Sequence, residues 1–216
     1  MRYRCLVFDH DDTVVNSTAT IHYPCFAEFL RRFYPGRSMT LEDYFIKNFE
    51  PGFIPMCRED FGMDEEALRR EGEFWRAWVR EHIPDAYPGI REIMQRHKAN
   101  GGLLCVVSHS YDDNIRRDYR YNGLPEPDLV FGWEQPIERR KPSPWPLEEI
   151  MRRFDLTPKE LLMIDDLKPG YDMAAECGVD FAAVGWSNDV PTIEAFLRGN
   201  CSRYFKTVAE LAAFLE

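Results

Sequence analysis

The sequence predicts an α/β fold, a parallel sheet with helices on both faces, interrupted once by an all-helical insert. Three observations predict it. Apolar runs of strand length recur at 3–8, 103–107, 129–131, 161–164 and 181–184, with a weaker one at 204–205, and stretches of helical spacing separate the later ones. The runs are continuous rather than alternating, which is the pattern of strands buried on both faces. Polar residues collect where several of the runs end, and an open parallel sheet binds its ligands at the carboxyl ends of its strands.

Taken in order, the first run, Leu6-Val7-Phe8, leads straight into Asp9-His10-Asp11-Asp12-Thr13. The stretch 15–87 then breaks the alternation and contains no convincing strand. Ile21, Phe26, Phe29, Leu30 and Phe33 form a helical stripe, and Phe74, Trp78 and Val79 form another in a segment that Asp64 can N-cap, with Glu65 and Glu66 in its first turn. Pro35-Gly36, Pro51-Gly52 and Pro84 break the helices apart, and Tyr87-Pro88-Gly89 marks the return to the alternating pattern. Helices are expected at about 89–99, 112–121, 144–154, 170–177, 190–198 and 207–215, between and after the later strands. The expected division is a core of 1–14 and 88–216 and a helical cap of 15–87, hinged near 14–18 and 85–89. Internal repeats and low-complexity tracts are lacking.

A chain of 216 residues suits one sizeable domain or a core with a smaller insert. The net charge of -10 argues against nucleic acid and anionic membranes as partners. It leaves room for a phosphorylated substrate, because one metal ion and one lysine can reverse the sign locally. The six cysteines include no C-x-x-C pair, and Cys5 and Cys105 lie in apolar strand runs, so neither a disulfide framework nor a zinc site is expected. No apolar run approaches the roughly 18 residues of a membrane span. With no signal peptide read ahead of the first strand, the expected location is cytoplasmic.

Two carboxylates, Asp9 and Asp11, at the end of a buried strand are costly unless a cation or a reacting group sits against them. Alone, the pair could be a solvated turn. Further polar signals complete a site: Ser108 after Leu103-Leu104-Cys105-Val106-Val107, Lys141 in Arg139-Arg140-Lys141-Pro142, and Asp165-Asp166 after Leu161-Leu162-Met163-Ile164. Ser108 and Lys141 singly would be unremarkable, and an acidic pair there could simply N-cap the next helix. Their weight comes from their order.

In that order the residues resemble the haloacid dehalogenase superfamily, specifically its helical-cap phosphatases, which include phosphoglycolate phosphatase and β-phosphoglucomutase-like members. The resemblance covers nearly the whole chain and implies a Rossmann-like core with an inserted cap. It makes Asp9 the nucleophile, Asp11 the general acid and base, and Thr13 the end of the first motif. Ser108, with His109 and neighbouring backbone N–H groups, would hold phosphate. Lys141 would offset negative charge on the transferring group. Mg²⁺ would be held by Asp9, the Asp11 backbone carbonyl and Asp166, with Asp165 mainly supporting. The implied reaction is hydrolysis of a small phosphorylated metabolite, phosphoglycolate- or sugar-phosphate-like, through an aspartyl-phosphate, by a monomer or alternatively a homodimer. Charge counting agrees: Asp9, Asp165 and Asp166 contribute three negative charges, and Mg²⁺ with Lys141 three positive.

Several residues depart from the pattern or extend it. Position 12 is Asp where glycine is usual, and His10 and His109 stand where apolar or amide residues are commoner; packing through the backbone, with the rings turned aside, is the plainer reading of both. The run Asp165-Asp166-Leu167-Lys168-Pro169-Gly170 leaves the subfamily open. Phe74, Trp75 and Trp78 read as packed core before they read as a substrate platform. Arg37, Lys47 and Arg58 could read a substrate carboxylate or remain solvated charges. Lys47 could serve as a Schiff base if the chain were a phosphonoacetaldehyde hydrolase. A phosphosugar mutase is the alternative enzyme, and a non-catalytic phospho-binding module the alternative from another class. Dehalogenation is disfavoured because those members lack an acidic residue at the place of Asp11.

Overall fold

A computed structural model describes residues 2–216. Strand β1 (Cys5–Phe8) opens the chain, and four helices follow, α1 (Tyr23–Phe33), α2 (Leu41–Phe49), α3 (Phe53–Phe61) and α4 (Glu65–Glu81), before the chain returns to the sheet. From there the order is α5 (Ile90–Ala99), β2 (Leu103–Val107), α6 (Asp112–Tyr121), β3 (Leu129–Phe131), α7 (Trp145–Phe154), β4 (Leu161–Asp165), α8 (Lys168–Cys177), β5 (Asp180–Val184), α9 (Pro191–Asn200), β6 (Tyr204–Phe205) and α10 (Val208–Phe214).

The sheet runs β3-β2-β1-β4-β5-β6 and every pairing is parallel. Successive strands grow outward on one side of β1 to β3 and on the other side to β6. The order therefore reverses at β1, and the crevice for a ligand lies beyond its carboxyl end. Because strand side chains alternate, Leu6, Phe8, Leu104, Val106, Leu162 and Ile164 pack on one face with Ile90, Met94, Ile115, Tyr119 and Leu211 from α5, α6 and α10. Cys5, Val7, Cys105, Val107, Leu161 and Met163 pack on the other with Leu147, Ile150, Met173, Ile193 and Leu197 from α7, α8 and α9. Both layers are buried, which is why the strands read as continuous apolar runs.

The insert after β1 has its own core, built on Phe26, Phe29, Leu30, Tyr44, Met56, Cys57 and Phe61. Asp64 caps α4 by accepting from the Ala67 N–H at 2.9 Å, as its position predicts. Phe33, the last member of the α1 stripe, is 41% exposed and lies at the edge against Phe29 and Phe74. On the side of α2, Phe49 packs edge-on to Phe196 of α9 and ties the insert to the sheet domain. The two connections run antiparallel: Asn16 donates to the Asp85 carbonyl and Tyr87 to that of Val14, both at 3.0 Å.

Several boundaries differ from expectation by one or two residues, β5 beginning at Asp180 and α9 ending at Asn200 among them. β1 begins at Cys5 rather than at residue 3. β4 runs one residue further, so that Asp165 itself is a strand residue. α8 begins at Lys168, two residues early, because a proline in the first helical turn loses no hydrogen bond. All six cysteines are free thiols. Among the described residues no helix is long and apolar enough to cross a membrane.

Candidate active site

The site begins one residue past β1. The Asp9 N–H still pairs with the Ile164 carbonyl at 2.9 Å, so Asp9 inherits the rigidity of the sheet, and its side chain is buried. The chain then turns. Asp12 has φ of 59°, in the left-handed region where glycine is favoured and Asp is among the better-tolerated residues. Its carboxylate accepts from the N–H groups of Thr18 at 3.0 Å and Ser17 at 3.3 Å. The departure from glycine is thus compensated: the same side chain secures the turn that enters the insert.

Lys141, fully buried, reaches across from the loop before α7. Its Nζ lies 2.7 Å from Asp9 Oδ1 and 2.7 Å from Asp165 Oδ2. Burial works against its charge, but Asp165 and Asp9 outweigh burial and raise its pKa. The other Asp165 oxygen accepts from the Leu167 N–H at 2.8 Å. Helix α8 passes so close that a Cβ on Gly170 would stand 2.0 Å from Asp165 Oδ2, so only glycine fits there. Asp166 accepts from Thr13 Oγ1 at 3.3 Å. Ser108 ends β2 beside these groups, its N–H on the Phe131 carbonyl at 2.9 Å and its Oγ accepting from the Ser110 N–H at 3.0 Å.

Asp9, Asp165 and Asp166 bring carboxylate oxygens within 4.8 Å of one another, all buried. Burial, opposed chiefly by Lys141, pushes the Asp9 carboxyl up to about 7. Burial, with the charges of Asp12, Asp165 and Asp9 added, puts Asp166 well above the usual range. One lysine does not neutralise three carboxylates, so the set is short of positive charge, and all its donors are hard oxygens. Both properties suit a divalent oxygen-seeking cation. The Asp11 carboxylate is not part of this group, so a metal contact from that residue would have to come from its backbone carbonyl.

Asp11 instead faces the insert. Oδ1 accepts from Ser17 Oγ at 2.8 Å and from His22 Nε2 at 2.9 Å, and Oδ2 from Ser110 Oγ at 2.5 Å. Burial disfavours its charge, but His22, by its charge whenever it is protonated and by its hydrogen bond, holds the carboxyl below its ordinary value, and the Ser110 hydrogen bond acts in the same direction. Trp75 Nε1 in turn donates to His22 Nδ1 at 3.0 Å. An indole N–H can only donate, so the ring shown is the neutral tautomer with its proton on Nε2, facing Asp11. Asp11 draws His22 upward in pKa against burial, and Trp75 opposes the second protonation.

His10 and His109 turn aside, as the plainer reading had it. His10 is buried with Nε2 3.1 Å from Asp118 Oδ2 and its ring stacked on Tyr119. His109 donates from Nε2 to the Lys141 carbonyl at 3.1 Å, edge-on to Trp133, and burial and then Lys141 push its pKa down to about 4. Its ring is neutral and engaged, leaving its backbone N–H as what it can offer an anion. Lys47 is paired with Asp60 at 2.8 Å and its pKa is raised, the opposite of a Schiff-base lysine. Arg58 pairs with Glu65, and Arg37 donates to the Asp60 carbonyl.

Sequence reasoning did not find Ser17, His22 or Ser110, and it favoured packing for Trp75. Ser110 had a faint signal two residues after Ser108. His22 had none, because the N–H groups of Ile21 and of His22 both bond the Ser17 carbonyl, at 2.8 and 3.0 Å, and this wide single turn rotates His22 onto Asp11. The cavity lined by Asp11, Ser17, His22, Trp75, Ser110 and Asn114 measures about 10 Å³, room for no more than one water. The insert is therefore closed over Asp11.

The sequence profile described as haloacid dehalogenase-like hydrolase matches residues 6–184. A pyrophosphatase, PpaX, from Bacillus cereus is 24% identical over 191 residues, covering 87% of this chain and 85% of that protein. A Haemophilus somnus protein described as a predicted phosphoglycolate phosphatase superposes with a TM-score of 0.81 at 17% identity, over 100% of this chain and 99% of that one. CbbY from Rhodobacter sphaeroides, in a mutant form complexed with xylulose 1,5-bisphosphate, superposes at 0.72 and 19% identity, over 97% and 96%.

Proposed function

The chain belongs to the haloacid dehalogenase-like hydrolases, and on that premise we propose that it is a Mg²⁺-dependent phosphomonoesterase acting on a small phosphorylated metabolite through an aspartyl-phosphate. The observation that carries this reading is the separation of two carboxylates on one short turn: Asp9 among Lys141, Asp165 and Asp166, and Asp11 apart from them, held by His22 and Ser110. Two carboxylates in two environments suit two roles.

Asp9 attacks phosphorus and takes the phosphoryl group while the leaving oxygen departs. Lys141 stabilises the charge on the transferring oxygens. Ser108 Oγ and the adjacent N–H groups, that of His109 included, orient them. Asp11 protonates the leaving oxygen, then takes a proton from the water that opens the intermediate. It rests ionised, and an incoming phosphate dianion raises its pKa by its own charge, so the acid form becomes accessible as substrate binds. Asp9 and Asp166, with the Asp11 carbonyl, are the residues that would hold Mg²⁺, and Asp165 supports them. When bound, the ion supplies positive charge that keeps Asp9 ionised and neutralises the phosphoryl oxygens. The division into a core of 1–14 and 88–216 and a cap of 15–87 belongs to the same reading, with the paired connections as hinge.

The test is phosphate release from a panel of esters with and without Mg²⁺. Metal-dependent release from phosphoglycolate- or sugar-phosphate-like esters is expected. No release from any ester by folded, Mg²⁺-loaded protein would overturn the proposal.

A second measurement reads the metal without turnover. Asp9, at about 7, and Asp12, at about 6, lie above their ordinary value. The folded state therefore holds protons that the unfolded chain has lost, and stability falls as pH rises from about 4 towards 7. Mg²⁺ binds the ionised carboxylates, so the rise in Tm on adding it is expected to be small at pH 5 and large at pH 8. An increment that does not grow with pH would argue against the acidic group as its site.

A further inference from the structure

We infer that Arg117, anchored by Asp118 and His10, is a positioning residue that seats the cap helix carrying Trp75 so that His22 meets Asp11. The inference rests on the acid–base assignment of Asp11.

The bridge is continuous. His10, between the two motif aspartates, has Nε2 3.1 Å from Asp118 Oδ2. The opposite oxygen of Asp118 accepts from Arg117 Nε at 2.8 Å and from another guanidinium nitrogen at 2.7 Å. The remaining donors reach the cap: one nitrogen donates to the Val79 carbonyl at 2.5 Å and the other lies 3.5 Å from that of His82. Those carbonyls lie at the C-terminal end of α4, where helix geometry leaves acceptors without intrahelical partners and the dipole favours a cation. His10 is 1% and Asp118 3% exposed, so the anchor is buried.

The geometry requires a guanidinium. Its planar fork can hold a carboxylate along one edge and present further N–H groups to two carbonyls, which an ammonium on a flexible stem does not reproduce in full. The bridge also lies where register matters. Trp75 is on α4 one turn before Val79, and Trp75 holds the His22 ring that donates to Asp11. A small shift of α4 along its axis moves Trp75 off His22 before it disturbs the sheet. Opening the cap breaks the carbonyl contacts and leaves Arg117 on Asp118, poised to re-form them.

The test compares Arg117→Gln and Arg117→Lys in the full chain by hydrogen exchange and by steady-state hydrolysis of p-nitrophenyl phosphate and of the best ester. For Arg117→Gln, amides in 76–83 and 18–23 should exchange faster while β2 and β4 keep their protection. Its kcat should fall roughly 30-fold, since misplacing a catalytic group by about 1 Å can cost up to ~100-fold. KM should move less than about threefold. Arg117→Lys, which keeps the charge but not the planar fork, should recover only part of kcat and part of the protection. Unchanged exchange in the cap segments, or faster exchange spread equally over β2 and β4, would overturn the positioning role. If no ester is hydrolysed by the unsubstituted chain, the exchange comparison still decides the bridge, and the failure then belongs to the phosphatase reading.

Discussion

Asn in place of Asp9 is expected to lower kcat by at least about 10⁴-fold, to the level of background, because loss of a nucleophile removes the covalent route rather than weakening it. The substitution is nearly isosteric and sits at the end of a sheet strand whose N–H remains bonded to the Ile164 carbonyl, so the fold should persist. It also removes a carboxyl that burial pushes up to about 7, while Lys141 keeps Asp165. Thermal stability should therefore change little, and the stabilisation by Mg²⁺ should shrink because one donor of the acidic group is gone. Phosphate release, melting curves and intact mass after rapid acid quench read these three effects. The native chain should carry a phosphoryl group in the quenched sample and the variant none. An Asp9→Asn protein that turns over at a tenth of the native rate would rule out Asp9 as the phosphoryl acceptor.

The second large effect is on the fold as well as the chemistry. Lys141→Met removes the cation that touches Asp9 and Asp165, both buried. Breaking a buried pair by removing one partner costs about 3–5 kcal/mol, because the other charge is left uncompensated. The sign with pH can be worked out from both partners. The raised pKa of Lys141 means that its stabilisation is complete below its unfolded value and is lost only in strong alkali. Asp9, with its pKa raised to about 7, is ionised at pH 8 and largely protonated at pH 5. The variant should therefore be destabilised most at pH 8 and recover part of the loss at pH 5, as urea denaturation at the two pH values would measure. Equal losses at both would mean that Lys141 contributes by packing rather than by charge. Phosphate release should be undetectable at either pH, since both the ionised nucleophile and the stabilised phosphoryl charge depend on it.

The difference between these residues and His22 explains what could be read in advance. Asp9, Ser108 and Asp165 each close an apolar run, and a polar residue at the end of a buried strand is visible to inspection because burying it has a cost. Lys141 was legible only by its order among them. His22 and Trp75 carry no such mark: a histidine beside a helical stripe and a tryptophan within one are ordinary. Asp12 was legible as a departure, and the positive φ and the two accepted N–H groups are what make it tolerable. His10 and His109 read as rings turned aside, and they are; that one of them anchors a bridge to the cap required knowing where Asp118 lies.

By itself, then, the sequence determined the alternation of strands and helices, the all-helical insert after β1, and the carboxylates at the strand ends. Those are local properties, set by the two side-chain periods and by the cost of placing charge beside apolar strands. The tertiary structure alone decided that Lys141 divides itself between Asp9 and Asp165, that a wide turn lays His22 on Asp11, and that Arg117 joins α6 to the end of α4. These contacts join groups 132, 24, 11 and 38 residues apart along the chain. Their geometry follows from how the sheet and cap pack on each other, and no periodicity along one segment encodes that.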